Sequence, residues 1–207
     1  RLLLGVEGVE VNQANNDGIT ALIMASHEGH VDVVRLLLGA EGVEVNQADN
    51  DGSTALIMAS HEGHVDVVRL LLGVEGVEVN QANNNGSTAL IFASQEGHVE
   101  VVRLLLGAEG VEVNQADNDG STALICASFK GHVEVIRLLL GVEGVEVNQA
   151  NNDGRTALIF ASQEGHVDVV RLLLGVEGVE VNQADNNGVT ALIFASQEGH
   201  VEVVRLL

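Results

Sequence analysis

Polar and apolar positions alternate in blocks along this chain, and the same order of blocks keeps returning. From Asp49 the sequence runs D-N-D-G-S-T, a polar cluster, then apolar A-L-I-M-A-S, then the polar junction H-E-G-H, then V-D-V-V-R-L-L-L. The unit from Asn12 to Asn46 shows what each block predicts. Asn15, Asn16, Asp17 and Gly18 tolerate positive φ or bond the local backbone through short side chains, which predicts a hairpin-like turn. Thr20 stands at an N-cap position, and residues 21–26 follow as a short first helix that Gly29 ends. Val31, Val33, Val34, Leu37 and Leu38 recur at helical spacing and face a core, with Asp32 three residues before Arg35 on the wet face. That pattern predicts a second helix. Gly39 and Gly42 each suit a left-handed cap beyond it, and the alternation Val43-Glu44-Val45 leads to the next turn.

The arginine of the second helix recurs at Arg1, Arg35, Arg69, Arg103, Arg137, Arg171 and Arg205, always 34 residues apart. A fixed period of this size marks a supersecondary unit that cannot bury its own apolar face and stacks on copies of itself. Helices this short do not hold alone, so stacking must supply most of the stability. The expectation is an all-α solenoid of about six repeats, one array over residues 1–207 with no linker. Arg1 to Leu4 read as the tail of a repeat, and Val201 to Leu207 as a second helix that stops early. The array is therefore expected to be an uncapped fragment, with apolar ends that favour head-to-tail self-association.

Thirty acidic residues against nine basic ones give a formal charge of −21, spread evenly over the copies. Such a surface repels a nucleic-acid backbone and anionic lipid, so neither nucleic acid nor membrane is expected as a partner. No run is apolar long enough to span a membrane, because Gly, Glu or Asn interrupts each one. Hydrophobic residues make up 46% of the chain, enough for an ordered core. Cys126 is the lone cysteine; it excludes an internal disulfide and favours an intracellular, reducing setting.

The motifs resemble those of the ankyrin repeat family over the whole chain. They are the D-x-x-G-x-T turn, A-L-x-x-A in the first helix, G-H at the junction, V-V-x-x-L-L in the second helix and the G-x-x-V-N exit seen from Gly42 to Asn46. The tetratricopeptide repeat shares the period but leans on bulky aromatics, and this chain has no Trp or Tyr and four Phe. Three features depart from the ankyrin pattern. Ala21 and Ile23, with their equivalents, stand where the family usually has Pro and His. The period exceeds the family's usual one by a residue, which falls at the exit of the second helix. The resemblance implies a turn followed by two antiparallel helices, and a concave recognition surface made by the turns and first-helix ends.

Copies differ at few positions, and most of these lie on that implied surface. Ile19 becomes Ser53, Ser87, Ser121, Arg155 and Val189; His27 becomes His61, Gln95, Phe129, Gln163 and Gln197; Glu28 becomes Lys130 in one copy alone. In the helix interior, Met24 becomes Met58, Phe92, Cys126, Phe160 and Phe194. Phe129, Lys130 and Arg155 form the most unusual group, an aromatic and two cations on an acidic surface, and such residues are favoured interface anchors. Ser121, Gln163, Gln95 and His61 complete the candidate protein-binding set. Drift among duplicated repeats is the alternative source of these differences.

The reading that follows is a non-catalytic protein-protein interaction scaffold whose partner is basic or mixed in charge. A structural spacer or elastic rod is the alternative, and a low-affinity acidic calcium binder a third reading. Against calcium, the A-D-N-D-G-S turn places Met58 where an EF-hand loop needs a bidentate Glu. The pairs His27 with His30 and His61 with His64 do not recur in the other copies, and the junction His suits a hydrogen bond better than a metal. No cofactor is implied. Cys126 has no catalytic partner pattern and reads as a small buried apolar residue, and nothing sets one carboxylate apart from the rest, so no enzyme is expected.

Overall fold

The computed structural model describes residues 9–207, and among them twelve helices follow one another in pairs. The pairs are α1 (Ala21–His27) with α2 (Val31–Leu38), α3 (Ala55–His61) with α4 (Val65–Leu72), and α5 (Ala89–Glu96) with α6 (Val99–Leu106). They continue with α7 (Ala123–Lys130) and α8 (Val133–Leu140), α9 (Ala157–Gln163) and α10 (Val167–Leu174), and α11 (Ala191–Gln197) and α12 (Val201–Leu206). This is the all-helical stack of about six repeats that the period predicts. The partial repeat read at Arg1 to Leu4 lies outside the described residues.

Local chemistry starts and stops each helix where the polar blocks fall. Thr20 and its equivalents sit in extended conformation, and each hydroxyl accepts the amide three residues on, as from Ile23 to Thr20 at 3.2 Å. Ahead of the cap, Asp49 folds the turn around itself: its Oδ1 accepts from the amides of Asp51 and Ser53 at 3.0 and 2.8 Å. An antiparallel bridge between Ala48 and Thr54 closes this hairpin. The two glycines after the second helix behave differently from one another. Gly42 is left-handed at φ 75, whereas Gly39 stays right-handed at φ −83, so the left-handed cap predicted at Gly39 is not formed. The helix ends with ordinary backbone at Gly39, and the reversal comes three residues later.

The first helices form one layer and the second helices another, with the core between. Leu56 and Ile57 of α3 and Val67, Val68 and Leu71 of α4 are all buried. Ile57 and its counterparts occupy the position where the resembled family has His, and they are buried to within 2% from Ile23 to Ile159. Burying such a side chain contributes about 1.5–3 kcal/mol, so apolar packing replaces a polar network there. Val33, predicted to face the core, is 44% exposed, while Val67, Val101, Val135 and Val169 are fully buried. The interior valines pack beneath the preceding pair, and α1 with α2 is the first described pair. Neighbouring first helices touch along more of their length than neighbouring second helices do. A stack whose one layer packs more closely bends toward that layer, placing the first helices and hairpins on the inside of the curve.

Three hydrogen-bond ladders join the repeats. At the hairpin tips the Asn50 amide donates to Asp17 O and its side chain to Asn16 O, both at 3.0 Å, and the pattern recurs through Asn186. At the exits, the Asn46 side chain donates to Gly76 O at 2.7 Å and accepts from the Glu78 amide at 3.0 Å. At the junctions, His64 Nε2 donates to His27 O at 2.9 Å, which fixes the tautomer. The G-H motif is thus a bond between repeats. Gly131 shows why glycine precedes it: φ is 80, and a Cβ would stand 2.7 Å from the His166 ring.

Candidate functional site

Several of the residues that vary between copies lie together on the first-helix side of the stack. The α7 repeat contributes Ser121 from its hairpin side and Cys126, Phe129 and Lys130 from its first helix. With Ile125 of the same helix, Gln95 of α5 and Phe160 of α9, they line a groove of about 270 Å³ that spans three repeats. Size explains the opening. Phe92, Phe160 and Phe194 fill the equivalent column position elsewhere, and Cys126 leaves that volume empty. Phe129 stands beside it, 40% exposed and edge-on to Phe160 at 5.8 Å between centroids. Lys130 Nζ lies 5.6 Å from the Phe129 ring centre. His166 holds the Phe129 carbonyl at 2.9 Å, so the next repeat fixes the backbone that presents this ring.

Arg155 and Gln163 lie one repeat further on and are engaged with each other. Arg155 Nη1 donates to Gln163 Oε1 at 3.3 Å, and its Nε faces Asp185 Oδ2 at 3.4 Å. The guanidinium also lies 4.7 Å from the Phe194 ring centre and 5.8 Å from that of Phe160. The amide of Val189, followed by that of Asn187 and the Arg155 side chain, holds the Asp185 carboxyl below the ordinary range. Arg155 therefore ties the α9 repeat to the α11 repeat. His61 lies two repeats before the groove, edge-on to Phe92 at 5.2 Å and bonded to Glu62 at 2.7 Å. That bond is the main reason the Glu62 carboxyl sits below its usual value.

Gln95, Ser121, Phe129 and Lys130 of the candidate set lie together on this groove, and three of its walls lie outside that set. These walls are Ile125, Cys126 and Phe160, and the signal was a column of Met and Phe broken once by Cys. Burial pushes the Cys126 thiol up to about 12, with Asp117 adding to the effect, so the sulfur is an apolar wall and not a nucleophile. A second groove of about 210 Å³ is lined by Ile19, Ile23, Met24, His27, Glu28 and Met58, where the column again lacks Phe. The hairpin carboxylates are drawn inward, since Asp49, Asp117 and Asp185 each direct Oδ1 at two backbone amides. Among the described residues no His, Cys, Asp or Glu side chains form a group of three that could hold a metal. No described helix is long and apolar enough to cross a membrane.

A family model for ankyrin repeats in three copies matches residues 1–83, 74–151 and 138–207. The chain belongs to the ankyrin repeat family. In the crystal structure of the ankyrin repeat protein EF0377, the fold agrees with a TM-score of 0.84 at 28% identity, covering 96% of this chain and 97% of that one. An ankyrin repeat domain from Acinetobacter baumannii AYE gives a TM-score of 0.79 at 32% identity, over 89% of this chain and 94% of that one. No curated protein matches the chain. Ankyrin repeats generally mediate protein-protein interactions, and the ankyrin fold is typically non-enzymatic. Two features mark this array: Ile23 and its copies bury apolar side chains in the first helix, and Cys126 opens an apolar groove in a column of Met and Phe.

Proposed function

We propose that this ankyrin array is a non-catalytic scaffold that binds a partner protein on its inner face, centred on the groove at Cys126. The observation that carries the reading is the coincidence of sequence variation with surface shape. The copies are nearly identical, yet Gln95, Ser121, Cys126, Phe129 and Lys130 converge on one groove. Exposed acids on either side favour a partner of basic or mixed charge. The pre-formed inner face lowers the ordering cost of binding, since helix packing and the junction bonds already fix its backbone.

A spacer is the second reading, supported by the hydrogen-bond ladders that run through the stack and stiffen it regardless of the variable positions. One comparison separates the two. The parent and the double variant Phe129→Ala, Lys130→Glu are immobilised and used to capture proteins from cell lysate at physiological salt, with mass-spectrometric identification. Phe129 is 40% exposed and lies outside the core, and melting curves check that both columns carry folded protein. A partner held by the parent and lost by the variant supports the scaffold with this centre; two columns that capture nothing beyond background support the spacer.

A further inference from the structure

We infer that the groove takes an extended segment of the partner that is basic along its length except at one register position, where an acidic side chain meets Lys130 and an adjoining apolar side chain enters beside Cys126. This rests on the scaffold reading and gives its partner a chemistry. The ends of the first helices carry an exposed row of charges: Glu28, Glu62, Glu96, Lys130, Glu164 and Glu198. Packed helices stand about 8–10 Å apart, and an extended strand advances about 3.3 Å per residue, so one repeat corresponds to about three residues of bound segment. A segment lying along the row therefore meets a carboxylate at about every third residue. At Lys130 the sign inverts once, with Glu96 and Glu164 on either side.

The groove inverts at the same repeat. Its 270 Å³ lie between Ile125, Cys126, Phe129 and Phe160, with Gln95 and Ser121 also on its lining. The walls are apolar, and the raised thiol pKa keeps Cys126 uncharged, so an aliphatic side chain is favoured there over a polar one. The groove at Met24 and Met58 lacks this combination, because Glu28 keeps the common charge. Only at the α7 repeat do room for an apolar anchor and reversed charge coincide, and that coincidence fixes the register of a segment that would otherwise slide from repeat to repeat. A uniformly acidic row attracts; the single lysine chooses the position, by repelling the basic residue that a slipped register brings to it.

The test uses three synthetic peptides and the whole chain. The first peptide places lysines three residues to either side of a glutamate and a leucine next to the glutamate. The second replaces that glutamate with lysine, and the third replaces the leucine with alanine. Affinities are measured by calorimetry at physiological salt for the parent, Lys130→Glu and Cys126→Phe. Phe occupies the equivalent position in α5, α9 and α11, so Cys126→Phe is compatible with the fold, and a melting curve verifies it. The parent binds the first peptide about three- to tenfold tighter than the second, and Lys130→Glu reverses that order. Cys126→Phe abolishes the leucine-over-alanine preference and leaves the charge preference intact. An unchanged glutamate preference in Lys130→Glu, an unchanged leucine preference in Cys126→Phe, or no binding of any peptide overturns the register. The lysate comparison at Phe129 and Lys130 stands apart from these results, so a failed register and a failed scaffold are told apart.

Discussion

At the scale of single residues, the same amino acid has two opposite roles in the exit loop. Gly107 closes α6 in right-handed conformation, at φ −84 and ψ −7, and a Cβ there would meet only Arg103 O and Leu104 O at 3.5 Å. Gly110 is left-handed at φ 76, with open space around it. Gly107→Ala therefore removes unfolded-state freedom without strain and is expected to stabilise by about 0.4–1 kcal/mol. Gly110→Ala meets no neighbour, yet the conformation itself disfavours a Cβ by about 1 kcal/mol. Urea midpoints should move in opposite directions for the two variants. Nothing in the letters distinguishes these glycines, because the sign of φ is set by where the helix releases its last hydrogen bond. The Thr caps were legible for the contrary reason: cap, turn and first amides all lie within a few residues. Cys126 was legible as a small apolar residue but not as a half-buried one, because the groove that exposes it depends on Phe129 and on Phe160 in the next repeat.

At the scale of the element, the helix pair is too short to stand alone, and what completes it comes from its neighbours. The exit loop makes the point. Asn80 donates to Gly110 O at 2.8 Å and accepts from the Glu112 amide at 3.0 Å, holding the loop that carries the additional residue of the period. Asn80→Ala removes both bonds and is expected to cost about 1–2 kcal/mol, water replacing part of the loss. Asn80→Asp keeps the acceptor for Glu112 but turns the donor into an anion beside a carbonyl, so the carboxylate does not restore the parent's stability. Urea unfolding of the three proteins should rank the parent above both variants. The helices and turns were readable from one repeat, since each rests on neighbouring residues. The ladders were not, because bonds between Asn80 and Gly110 or between His166 and Phe129 exist only once repeats are stacked in register. Arg155 shows the limit most plainly: as a letter it was an unusual exposed cation, and in the fold it joins Gln163, Asp185 and two phenylalanine rings.

For the whole molecule, the stacking that builds the core also aligns the acids. With a formal charge of −21, the folded array holds carboxylates of successive repeats about 8–10 Å apart, closer on average than in the unfolded chain. At 0.01 M salt the screening length is about 30 Å, so each charge in the row acts on several others; at 0.15 M it is about 8 Å, and even adjacent ones are screened. Raising salt across this range should lift the melting temperature by about 4 °C or more, equivalent to roughly 1–2 kcal/mol for a chain of this size. Strengthened apolar burial would also raise it, and Lys130→Glu distinguishes the causes. That variant completes the acidic row and makes the chain two units more negative, with little change in apolar area. If repulsion governs, its melting temperature falls below the parent's at 0.01 M and approaches it at 0.15 M, so the two curves converge as salt rises. Parallel curves, or a parent melting temperature that stays flat, would remove repulsion along the row as a force on this fold, and with it the steering field invoked for a basic partner.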